Sequence, residues 1–105
     1  MADRVDETAF QERVLGATGP VAVEFYSDSC AACKRLAPQL AKLEAAHEGE
    51  LDVVKVNTTF EEELASRFDI LSAPTLLLFR AGQEVARSVG FKRLEELEEW
   101  IGTNS

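Results

Sequence analysis

Cysteine, histidine, methionine, tryptophan and tyrosine are all scarce in this chain of 105 residues, with two Cys and one each of the other four. Two cysteines cannot build the disulfide framework of a small secreted protein. Two sulfurs and one distant His47 are also too few donors for a closed tetrahedral zinc site within one chain. Positive charge is sparse as well: 11 Lys and Arg stand against 19 Asp and Glu, a formal net charge of −8. That balance argues against nucleic acid and anionic membrane surfaces as main partners. No apolar stretch approaches the length of a membrane span. Met1 to Glu7 holds no apolar h-region, so no Sec-type signal peptide is expected. There is no repeat, linker or low-complexity tract. One domain over residues 1–105 is therefore expected, and 46% hydrophobic residues are enough for a real core.

Both cysteines fall in one motif, Ser29-Cys30-Ala31-Ala32-Cys33-Lys34. Before it runs Val21-Ala22-Val23-Glu24-Phe25-Tyr26, rich in β-branched and aromatic types, which predicts a strand buried on both faces. After it, Leu36, Leu40 and Leu43 recur at the spacing of one helix face. The thiols thus stand where a central strand passes into a helix. A helix start offers free N–H groups and partial positive charge, and a sulfur placed there ionises more readily. A close pair without other cysteines suits a reducing, cytoplasmic setting in which it cycles.

Around this motif the chain reads as β-α-β-α-β-α-β-β-α. Arg4-Val5 is at best a very short strand. Thr8-x-x-Gln11 predicts a capping box for a first helix bearing Phe10, Val14 and Leu15, ended by Gly16 and Gly19-Pro20. The motif helix is expected over about residues 31–46, with Pro38 removing one backbone bond and kinking it. Leu51 to Asn57 reads as a second core strand. Thr59-x-x-Glu62 predicts another capping box, opening a helix with Phe60, Leu64 and Phe68. Thr75 to Arg80 and Glu84 to Val89 read as a hairpin around Ala81-Gly82-Gln83. The last helix carries Leu94, Leu97 and Ile101, with Trp100 partly in the core and Glu95, Glu96, Glu98 and Glu99 on its wet face. His47 is expected at the surface. Early strand–helix alternation predicts parallel strands, and the late hairpin adds antiparallel ones.

Taken together, Val23-Glu24-Phe25-Tyr26, Cys30-Ala31-Ala32-Cys33-Lys34, Pro38, Val54-Lys55-Val56-Asn57, Ala73-Pro74-Thr75, Leu77-Leu78-Phe79, Gly82 and Gly90 make a chain that resembles the thioredoxin family. The likeness runs over about residues 8–101. It implies an α/β thioredoxin fold, a mixed five-stranded sheet (its first strand short or missing) flanked by four helices. It also implies thiol–disulfide exchange with protein substrates and reduction by a thioredoxin reductase, with no bound cofactor or metal. The chain departs from the family's usual Trp-Cys-Gly-Pro-Cys, carries Glu24 where an Asp is usual, and has Tyr26 in place of a Trp.

From the residues, Cys30 is the expected nucleophile and Cys33, one turn inside the helix, the resolving thiol of a redox-active pair. Glu24 is a carboxylate in the most apolar strand, and buried acids need a partner or a raised pKa. Lys55 on the neighbouring strand is the expected partner. A catalytic role for Glu24, as proton acceptor or donor for Cys33, follows from its place and from the resemblance. Alanine at 31 and 32 favours the helix's first turn, and Ala32 carries an N–H that proline lacks. Both are expected to favour the thiolate and make the pair more oxidising. The family's cis proline implies a cis Ala73-Pro74 bond facing the thiols, with residue 73 open to strand-like pairing. Ser29, Ala31, Ala32, Ala73, Pro74, Gly90 and Phe91 would line the substrate groove. A reductase of protein disulfides, acting as a monomer, is the leading expectation. An oxidase or isomerase, or a non-catalytic binding subunit of the same fold, are the alternatives.

Overall fold

The first turn of the chain's first helix is set by a single side chain. In the structure, a computed structural model describing residues 2–104, Asp6 Oδ1 accepts the Ala9 N–H at 2.8 Å and caps helix α1, Glu7–Phe10. Thr8, the expected cap, lies within the helix, because Asp6 already has the extended backbone that a capping residue needs. The helix then widens into a π-turn, Gln11–Leu15, closed by the Gly16 N–H on the Gln11 carbonyl.

Among the described residues, five strands form one mixed sheet in the order β1-β3-β2-β4-β5. These are β1 (Asp3–Arg4), β2 (Pro20–Tyr26), β3 (Asp52–Asn57), β4 (Thr75–Arg80) and β5 (Gln83–Val89). β1 and β2 run parallel to β3, while β4 is antiparallel to β2 and to β5. The expected mixture of parallel and antiparallel pairs is present, and the first strand exists as two residues. β2 holds the centre with Val21 to Phe25 all buried.

Successive side chains on a strand point to opposite faces, and β2 uses this to divide the core. Val21, Val23 and Phe25 join Phe10, Val56 and Leu64 on one face. There Phe79 meets Phe10 and Phe68 edge-on, at centroid distances of 5.8 and 5.5 Å. Ala22 joins Leu36, Leu40, Leu43, Leu78 and Leu97 on the other. That second face is covered by α2 (Ala31–Ala46) and α4 (Leu94–Thr103). α2 continues through Pro38, which is exposed on its outer side. None of the helices is long and apolar enough to cross a membrane, among the described residues.

Three further expectations are corrected. Helix α3 spans Glu62–Arg67 and has no side-chain cap at its start; the orphan N–H groups of Thr59 and Phe60 go instead to Asn57 Oδ1. Asn57 is fully buried at the end of β3, so its amide reaches them before Thr59 can act. Phe60 consequently falls outside the helix and is 63% exposed, with the Arg4 guanidinium 5.4 Å above its ring. His47 is half-buried rather than superficial, because the end of α2 leans on α4 and its Nε2 is paired with Glu98 Oε1.

The β4–β5 hairpin closes through Ala81 and Gly82, both with positive φ (52° and 77°), a two-residue turn whose twist suits the flanking strands. A Cβ on Gly82 would lie 2.6 Å from the Leu15 carbonyl oxygen, so the turn also packs against the end of the π-turn. A bulge between Leu78 and Phe79 inserts Val85 as an extra residue in β5.

Candidate active site

β2 ends at Tyr26, and four residues later Cys30 begins α2. Cys30 is the helix N-cap, with extended backbone (φ −90°, ψ 110°). Its Sγ accepts the Cys33 N–H at 3.1 Å, the place a capping oxygen would occupy. The donor at the sulfur is thus Cys33, not Ala32. The Cys30 thiol also donates to the Ala73 carbonyl at 3.3 Å. Cys30 is half-exposed and Cys33 buried; both are free thiols, so the site is in its reduced form.

Burial is the first cause that pushes the Cys33 thiol up to about 12. A hydrogen bond with Cys30 adds to this, and a backbone bond from Ser27 opposes it. The two sulfurs therefore occupy opposite situations: one at the surface on a helix start, the other buried and protonated.

Glu24 stands below them. The alternation along β2 sends its side chain to the α2 side, where it is 4% exposed and its Oε2 has no hydrogen-bond partner. Burial raises its carboxyl to about 7, and the charge on Lys55 pulls it back only in part. Glu24 and Lys55 are register partners across β2 and β3. Among the described residues no ion pair joins them; the Lys55 ammonium sits 5.1 Å from the centre of the Tyr26 ring. A cavity of about 160 Å³ is lined by Glu24, Cys33, Lys55, Tyr26, Ser27 and Asp28, among others. It is large enough for water to link the acid with the buried sulfur.

Three stretches come together around Cys30 and Pro74. Ser29 and Ala31 are exposed beside Cys30, and Ala32 is half-buried. The Ala73–Pro74 peptide is cis, with Pro74 buried and the Ala73 carbonyl turned to the sulfur. Gly90, at φ 88°, donates its N–H to the Pro74 carbonyl at 2.8 Å and brings Phe91 alongside.

Sequence reading missed several neighbours. Asp28 accepts from the Asn57 amide at 3.3 Å and braces the loop ahead of Cys30. Leu71 is 95% exposed two residues before Ala73. The Arg35 guanidinium lies 4.3 Å from the Phe91 ring centre.

Residues 2–103 match the family model described as Thioredoxin. The chain belongs to the thioredoxin family. It is 34% identical over 104 residues to a thioredoxin of Rickettsia bellii (strain RML369-C), covering 99% of both chains. It is similar to thioredoxin 1 of Nostoc sp. (strain PCC 7120 / SAG 25.82 / UTEX 2576), at 38% over 89 residues, covering 85% of this chain and 83% of that one. With thioredoxin C-2 of Corynebacterium nephridii it shares 39% over 95 residues, 90% of this chain and 88% of the relative. The sheet and helices are those of the thioredoxin fold. With its two thiols at the start of α2, this member of the family is a thiol–disulfide oxidoreductase.

Proposed function

We propose that the chain reduces protein disulfides through Cys30 as nucleophile and Cys33 as resolving thiol. The observation that carries this reading is the contrast between the sulfurs: Cys30 accepts a helix N-terminal N–H and reaches the surface, while Cys33 is buried and held up to about 12. The Cys30 thiolate attacks one sulfur of a substrate disulfide; a mixed disulfide forms and the substrate's other sulfur leaves as thiolate. Cys33 then loses its proton, attacks the Cys30 sulfur, and expels the second substrate thiolate. The net result is a reduced substrate and a Cys30–Cys33 disulfide, two electrons having passed to the substrate.

A thiol at about 12 needs a base, and Glu24 at about 7 is tuned to accept a proton near neutral pH. The shared cavity supports transfer through water. Lys55 acts on Glu24 by its charge. Ser29, Ala31, Ala32, Ala73, Pro74, Gly90 and Phe91 form the groove in which an extended substrate lies, pairing with the backbone of residue 73.

The protein acts as one thioredoxin-like domain, a monomer, in the cytoplasm, and is returned to the dithiol by a thioredoxin reductase. The family match over residues 2–103 supports the single domain. Insulin reduction followed by turbidity with dithiothreitol tests the activity, and NADPH oxidation with a thioredoxin reductase tests the recycling. Turnover should depend on Cys30; activity retained in full by Cys30→Ala would refute the assignment.

A further inference from the structure

Charge is distributed unevenly around the groove. The three stretches that build it, residues 27–36, 70–75 and 88–93, hold Lys34, Arg35, Lys92 and Arg93 but, of the chain's 19 acids, only Asp28. Asp28 accepts from the Asn57 amide and lines, together with Lys34, the cavity beside Lys55. Arg93 is paired with Glu96, Lys92 shares a hollow with Glu96 and Glu99, and Lys34 shares the cavity of Asp28, which leaves Arg35 as the cation of the four without an acid beside it among the described residues.

Arg35 is also distinctive in what it touches. Arg13, Arg67, Arg87 and Arg93 each pair with a carboxylate of the chain. Arg35 has no ion-pair partner among the described residues, and its guanidinium carbon lies over the Phe91 ring, 4.3 Å from the ring centre. Stacking spends the face of the guanidinium and fixes its position, while the N–H donors around its rim stay unspent. Arg35 follows Ala31 by one helical turn on the same face, about 6 Å further along the axis. Phe91 in turn is fixed by Gly90, whose N–H is bound to the Pro74 carbonyl. The pair is therefore a preorganised cation on the α2 wall of the groove.

The geometry points to Arg35 as a specificity-determining residue that selects polypeptide disulfides carrying an acidic residue close to the attacked cysteine. The inference rests on the disulfide-reductase reading. An extended segment advances about 3.3 Å per residue, so a carboxylate two or three positions from the cysteine reaches the guanidinium. A planar fork suits a carboxylate in two-point contact.

Two synthetic peptides test this, each with one intermolecular disulfide in an extended segment, one bearing Glu and one Gln two residues from the cysteine. The readout is the Glu-to-Gln ratio of kcat/KM, compared between the wild-type protein, Arg35→Met and Arg35→Lys. Met keeps an unbranched apolar stem over Phe91 and removes the charge; Lys keeps the charge and loses the plane. At about 10 mM ionic strength the wild-type ratio should exceed that of Arg35→Met about fivefold, the upper range for an exposed pair. Arg35→Lys should fall between them, and about 1 M salt should remove the difference. A ratio that is the same in wild type and Arg35→Met overturns the inference while the reductase reading stands. A wild-type protein that reduces neither peptide nor insulin overturns both.

Discussion

Glu24 and Lys55 are paired in register across β2 and β3, yet the ammonium rests over the Tyr26 ring and leaves Glu24 Oε2 without a hydrogen bond. Burial therefore outweighs attraction, and the carboxyl is raised from 4.5 to about 7. A raised acid holds its proton more tightly in the folded chain than in the unfolded one. Its contribution is full below pH 4.5, declines as pH rises, and is lost above about 7. The displacement corresponds to about 3 kcal/mol. Glu24→Gln should then be more stable than wild type at pH 8 by up to that amount and nearly equal at pH 4. Urea unfolding of the reduced protein at both values measures it; a variant no more stable at pH 8 would rule out a buried charge at this site.

The same substitution should slow disulfide exchange by about 10²-fold, the usual loss when a positioned acid–base group is removed. Insulin reduction at pH 7 gives the number, and a loss under twofold would leave Glu24 without a catalytic part.

Lys55 lowers the carboxyl's pKa. Lys55→Met should move it further above about 7, and the corresponding limb of the pH–rate profile should shift to the alkaline side. A shift to the acid side would contradict the electrostatic coupling.

Cys33→Ala should stop the reaction at the mixed disulfide. Incubated with a disulfide substrate, it should yield a covalent adduct through Cys30, visible on a non-reducing gel and released by dithiothreitol. Full turnover by this variant would reassign the roles of the two sulfurs.

At the opposite end of the sheet, Gly82→Ala should destabilise by about 2 kcal/mol or more, since positive φ and contact with the Leu15 carbonyl both oppose it. Gly49, also at positive φ but facing open space, gives the comparison: Gly49→Ala should cost about 1 kcal/mol. Equal urea midpoints for the two variants would mean the Leu15 contact carries no weight.

Much of this arrangement is legible before any coordinates. Val21 to Tyr26 followed by Cys30 and Cys33 places two thiols between a buried strand and a helix, and Thr75 to Val89 declares a hairpin through Ala81-Gly82. Caps are less legible, because Asp6 and Thr8 are both good caps and only the extended backbone at Asp6 decides between them. Phe60 fits the apolar spacing of α3 but is outside it, since buried Asn57 takes the turn's N–H groups. His47–Glu98 and Arg35–Phe91 join residues far apart in sequence, and no local pattern encodes such meetings.

The two-sidedness of β2 has a consequence for how this chain tolerates change. Its odd-numbered residues enter the phenylalanine cluster and its even-numbered ones face α2. A one-residue deletion between Val21 and Glu24 would exchange the two sets, turning an acid toward Phe10 and Phe79 and a benzyl group toward the inner sulfur. The spacing itself is a reading frame: chemistry on one side of the sheet is kept in phase with oil on the other.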